Sequence, residues 1–210
     1  MQARRSAREL AVLGIGQLPS SSEKLATQQI QDIVLAVVRT LATESQESLE
    51  TAMVELQRGN DRLMGSQFRA SDLQSARAMI QEAIELTQSA VNRLATAVEF
   101  PELIQLARQE EVVGYTIDIL TAVNTHRTEI DELLNQAMVD WQMSRLPRID
   151  RDILRIAVAE LLYLGVQEQV AVNEAVELAK RYSDEESYRF LNGVLRRAVD
   201  KIQADVPIQS

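Results

Sequence analysis

From residue 72 to residue 98 the chain repeats every seven residues. Ala76, Ala83, Ala90 and Ala97 hold one position, and Leu73, Ile80, Thr87 and Leu94 hold the position three before it. A seven-residue spacing of small and apolar side chains is the seam of a helix that packs along another helix. Alanine on one line lets the two backbones approach closely. The natural partner is the weaker helical pattern of residues 45–66, carrying Leu49, Met53 and Leu56. Together they predict a helical hairpin, either a packing element or a partner-binding arm. The breaks are expected at Gly59-Asn60-Asp61 and from Gly65 to Ser71, with Ser71 capping the second helix. The composition agrees. Apolar residues make up 46 %, aromatics 4 %, and 7 Gly and 4 Pro interrupt 210 residues. Long helices, not short strands, follow from that mixture.

The remaining periodicity is helical as well. The first helix is predicted from Gln2 to Gln17, with Arg4, Arg5 and Arg8 on one side. Ala7, Leu10, Ala11, Gly14 and Leu18 lie on the other. Leu18-Pro19 ends it, and Ser22 is placed to cap a helix over 23–43. Phe100-Pro101 marks a boundary, with Pro101 suited to a first turn, and helix follows to Asn124. In the next helix, 127–143, Trp141 closes the apolar stripe as a core anchor, the alternative being a stacking platform. His126 sits at the joint as a surface or capping residue.

The C-terminal part carries the clearest punctuation. Helix 148–164 ends at Gly165, which supplies a left-handed C-cap. Asp150 and Glu160 fall inside its apolar arc, and a buried carboxylate needs a partner. Helix 170–182 follows, and Ser183-Asp184-Glu185-Glu186 reads as a capping box that starts the last helix at Asp184. On that helix Phe190, Gly193, Arg197 and Lys201 turn away from the side holding Leu191, Leu195 and Ala198. An aromatic flanked by cations suits unpaired bases and their phosphates; packing on another helix is the competing reading. Asn192 could bond a base edge or close a helix end.

The formal net charge of −9 is uneven: +2 over 1–20, −10 over 21–140 and −1 over 141–210. Nucleic acid would therefore have to be met by a local patch. No cysteine and a single histidine exclude thiolate chemistry and paired-imidazole sites. No phosphate loop, metal spacing or catalytic triad is present, so no catalytic residue, metal or cofactor is expected. No apolar run reaches the length of a membrane span, and the N-terminus lacks the pattern of a secretory signal. A non-enzymatic protein working in the cytoplasm, away from membranes, is expected.

Four segments resemble the NusB family. Asp150-Arg151-Asp152-Ile153-Leu154-Arg155-Ile156-Ala157 with Glu160-Leu161 matches its D/E-x-x-I-L-R-x-A-x-x-E-L pattern. Val172 to Lys180 is similar to its I-N-E-A-I-E-L-A-K segment, and Phe190 to Leu195 to its F-[VL]-N-G-V-L segment. Ala3 to Arg8 resembles its Arg-rich start, interrupted here by Ser6. The order of the four covers residues 1–40 and 101–202, and 45–98 has no counterpart in shorter members. The resemblance implies an all-α helical bundle of two packed subdomains with an inserted long hairpin. The expected limits are 1–44 with 99–143, then 45–98, then 144–204, with a tail at 205–210. It implies a transcription antitermination factor that binds single-stranded boxA-like RNA of rRNA operon transcripts with the ribosomal protein NusE. Other Nus factors and RNA polymerase would be met indirectly, and premature Rho-type termination suppressed. By position, Arg4, Arg5 and Arg8 would meet RNA phosphates and Phe190 would stack on a base. Glu186, Asn192, Arg197 and Lys201 would lie at the RNA surface, and Asp150 and Arg151 at the NusE surface. A helical adaptor without RNA binding, or a stand-alone domain akin to those of rRNA methyltransferases, are the alternatives.

Overall fold

In the computed structural model, residues 2–19, 25–139, 141–184 and 186–205 are described, apart from the side chains at 96, 99, 100, 102, 103 and 205. Ser22, Glu185 and the tail from 206 therefore lie outside the described residues. Among the described residues eight α-helices and one short 3-10 turn follow in order: α1 Gln2–Ile15, α2 Thr27–Phe68, α3 Leu73–Leu106, α4 Glu110–Thr125, α5 Arg127–Ala137, the turn Met143–Arg145, α6 Arg148–Tyr163, α7 Glu168–Tyr182 and α8 Ser187–Asp205. No strand occurs among the described residues. The chain divides into two compact units, one of Met1–Val37 with Ala107–Ser210 and one of Val38–Leu106.

The larger unit is built around α6. Ile153, Leu154, Ile156, Ala157, Val158 and Ala159 are all buried, so this helix is enclosed on most sides. Leu10 of α1, Ile119 and Leu120 of α4, Ile130 and Leu134 of α5, and Leu191 and Leu195 of α8 complete the core. Each such side chain contributes about 1.5–3 kcal/mol by leaving water. Gly165 ends the run after α6 with φ 63°, and the Val166 N–H returns to the Glu160 carbonyl at 3.1 Å. That is the left-handed cap expected at this glycine.

The smaller unit corrects two sequence expectations. Gly59 and Gly65 do not break α2, which is continuous for 42 residues. Gly59 belongs to a line of small residues at seven-residue spacing, Ser45, Ala52, Gly59 and Ser66, facing the alanine line of α3. A Cβ on Gly59 would stand 3.3 Å from the Ala83 carbonyl oxygen. The glycine is there for close backbone approach, not for a turn. Pro101 likewise does not start a helix; it lies inside α3. Its missing N–H frees the Ala97 carbonyl one turn earlier, and the buried Ser45 hydroxyl donates to that carbonyl at 3.3 Å. The chain restarts at 107–109 instead, ahead of α4.

Candidate nucleic-acid interface

The Arg side of α1 is split by packing. Arg4 and Arg5 are exposed, but Arg8 is only 3 % exposed and Glu160 1 %. Arg8 Nε donates to both Glu160 oxygens at 2.9 Å, and its Nη1 to Glu174 at 3.3 Å. The Tyr115 hydroxyl donates to the same Glu160 carboxylate. The carboxylate that the sequence placed in an apolar arc is thus matched by a guanidinium from the chain's other end. Arg8 is corrected from a surface residue to an internal counter-ion, because α1 buries Ser6, Ala7, Arg8 and Glu9 together. The Tyr115 ring also carries Arg4, whose guanidinium carbon lies 5.1 Å from its centroid. Burial, then the bond to Glu160 and its charge, push the Tyr115 hydroxyl well above its ordinary pKa.

From α1 a line of polar contacts reaches α8. Arg5 stands 3.9 Å from Glu177, Glu177 pairs with Lys180 at 2.7 Å, and the Lys180 ammonium lies 5.7 Å from the Tyr188 ring. Arg189 sits over the same ring at 5.6 Å. One surface of cations interleaved with Glu177 therefore spans α1, the end of α7 and the start of α8. Phe190 lies roughly 200° around α8 from Tyr188, at about 100° per residue. It is half-buried and meets Trp141 edge-to-face, centroids 5.9 Å apart.

Trp141 is 51 % exposed, so it is not the core anchor expected. Its helix stops at Ala137, and Met138 is extended, which carries Trp141 out of the apolar stripe. The stripe's spacing continues beyond the helix, so periodicity could not reveal this. Trp141 also lines a cleft with Asp131, Asn135, Arg151 and Arg155. Arg155 is committed there to Asp131, at 2.8 and 2.9 Å, and to Asp152 at 3.0 Å. The Arg151 Nε has no hydrogen-bond partner among the described residues. Burial raises the Asp152 pKa against the pull of Arg155, Arg148 and Arg151.

The other expected site residues are placed as follows. Arg197 is exposed, and its Nε donates to the Ala137 carbonyl at 2.6 Å, closing the end of α5. Asn192 and Lys201 are half-exposed and Glu186 is exposed. Asp150 is 2 % exposed and accepts from the Ser183 and Ser187 hydroxyls, the latter at 3.1 Å. Asp150 is thereby corrected from a partner-facing residue to an internal clasp between α6 and the turn before α8. The same bonds replace the capping box: Ser183 serves Asp150, and α8 begins at Ser187, not Asp184.

The described surface thus combines exposed guanidiniums, three aromatic rings and a cleft, with no cluster of His, Cys, Asp or Glu fit to hold a metal among the described residues. No described helix is long and apolar enough to cross a membrane. These features define an all-helical protein whose described surface sets cations beside solvent-exposed rings.

Comparison with known proteins gives the family. The NusB family model matches residues 72–200. Transcription antitermination protein NusB of Trichodesmium erythraeum is 59 % identical over 199 residues, covering 95 % of this chain and 96 % of that one. The NusB of Gloeothece citriformis is 54 % identical over 204 residues, covering 97 % and 96 %. Coverage this high means that such relatives carry a segment like 38–106 too. A chain in the solved structure "Crystal Structure of a Plectonemic RNA Supercoil" matches with TM-score 0.51 and 18 % identity, over 98 % of this chain and 99 % of that one. That likeness supports the helical fold alone. A solved T. maritima NusB matches with TM-score 0.43 and 21 % identity, over 73 % and 91 %. The chain belongs to the NusB family of transcription antitermination proteins, and as a member it is not an enzyme.

Proposed function

We propose that this antitermination protein works by binding single-stranded boxA-type RNA of rRNA operon transcripts together with the ribosomal protein NusE. The complex joins other Nus factors on RNA polymerase in the cytoplasm and opposes premature, Rho-type termination. The observation that carries the reading is the half-exposed Trp141 set edge-to-face against Phe190. Ring faces offered to solvent beside cations are what unstacked bases and their phosphates require. The RNA enters over Arg4, Arg5 and Tyr188. It passes Asn192 on the Tyr188 side of α8, rounds the first turn past Glu186 and reaches Phe190 and Trp141, where Arg197 and Lys201 offer charge. Arg8 supports this surface from beneath and does not touch RNA. Arg151, half-exposed on the lining of the cleft, is the residue offered to NusE.

The test is selectivity. Fluorescent boxA and scrambled RNA of equal length are titrated with the full chain, alone and with NusE. A boxA preference that grows with NusE is expected, with boxA affinity that falls steeply with salt, since phosphate contacts release counterions. Equal binding of both RNAs in the presence of NusE overturns the reading.

A further inference from the structure

We infer that the hairpin of α2 and α3 is a self-association arm, and that its occupant is the same hairpin of a second copy. Its two flanks differ in chemistry. On one flank Arg93 pairs with Glu55 at 3.1 Å and Arg62 with Glu82 at 3.0 Å, lacing α2 to α3. The opposite flank carries two apolar ridges at seven-residue spacing. Leu49, Leu56 and Leu63 form one, exposed by 41–46 %, and Ile84, Val91 and Val98 the other, exposed by 47–71 %. Between the ridges runs a groove floored by Gly59 and Ala83.

Three features select a second copy. First, ridges at heptad spacing beside a small-residue groove are self-complementary, so a two-fold axis can seat the ridges of one hairpin in the groove of the other. Second, the groove lining, which also includes Asn60, Thr87 and Gln88, holds no ionisable side chain. A partner chosen by charge would need charge here. Two chains of net charge −9 can meet on this flank because their charges lie elsewhere. Third, the area suffices. The six ridge residues with Met53 and Ile80 expose roughly 100 Å² each, or roughly 800 Å² a copy, which is the per-partner size of a standard stable interface.

The test is sedimentation velocity of the full chain from about 1 to 100 µM, a span bracketing ordinary dimer affinities. The expected result is a shift from one chain mass to two, lost in Leu56→Glu with Ile84→Glu and retained in Arg58→Glu, whose charge change lies off the apolar flank. Helicity and melting temperature are checked alongside. If the doubly charged variant misfolds, hydrogen exchange of the unaltered chain decides: residues 56–63 and 80–88 gain protection as concentration rises. A single chain mass throughout, a dimer indifferent to the paired glutamates, or exchange independent of concentration overturns the inference, as does a monomer that takes up a different helical protein on this flank.

Discussion

Replacing Arg8 by methionine should unfold the larger unit far more readily while leaving the exposed Arg4 and Arg5 in place. Arg8 and Glu160 are both nearly inaccessible, and Nε bonds both carboxylate oxygens at 2.9 Å. Removing the guanidinium leaves a buried carboxylate with the Tyr115 hydroxyl as its remaining partner among those described. Breaking a buried pair on one side costs about 3–5 kcal/mol, whereas replacing both members by apolar groups is often close to neutral. Arg8→Met should therefore lower the urea midpoint by roughly 1.5–2.5 M at a slope near 2 kcal/mol/M. Arg8→Met with Glu160→Leu should recover most of that. Trp141, the single tryptophan, lies in the same unit and reports its unfolding by emission. A midpoint shift under 0.5 M in the single variant, or a double variant as unstable as the sum of the singles, would refute the reasoning. So would an Arg8→Met protein of normal stability that has lost RNA affinity, because it would return Arg8 to the RNA surface.

Phe190→Ala should weaken boxA binding by about 1–3 kcal/mol in addition to the stability lost because its half-buried ring packs on the core; a stability loss at unchanged affinity would make Phe190 a packing residue. Arg4→Ala and Arg5→Ala should each reduce the slope of log affinity against log salt by about 0.7, one single-strand phosphate contact apiece, and an unchanged slope removes them from the contact set. Gly59→Leu should destabilise the hairpin by about 1–3 kcal/mol, since its Cβ would stand 3.3 Å from the Ala83 carbonyl oxygen and the rest of the side chain has to displace α3; helicity loss in urea measures it. The Tyr163 hydroxyl, and next His126, hold the Glu129 carboxyl below its usual range. A depressed carboxylate contributes stability above its unfolded pKa, and that contribution is lost as pH falls through the folded value. Tyr163→Phe should bring the Glu129 titration back toward 4.5 and flatten the fall in melting temperature between about pH 5 and 3; an unmoved titration contradicts the assignment.

Much of the fold is legible in the sequence because helical spacing and caps are local. Gly165, the alanine line of α3 and the need for a partner at Glu160 can all be read from neighbours a few residues away. What escaped depends on distant contacts. Arg8 looks like a surface residue on a helical wheel, since the wheel of α1 contains no trace of Glu160. Gly59 and Pro101 look like breaks until α3 and Ser45 are set beside them. Trp141 continues a stripe whose helix has already ended. The motifs placed Phe190 at the candidate site, but its aromatic neighbour comes from the loop after α5, which no periodicity links to α8.

In the proposed complex bases stack at Trp141 and Phe190, and intrinsic Trp141 emission during titration with boxA RNA reports that stacking. Saturable quenching by boxA in the presence of NusE, absent with scrambled RNA and diminished in Phe190→Ala, is the predicted result. Tight boxA binding that leaves Trp141 emission unchanged would contradict it.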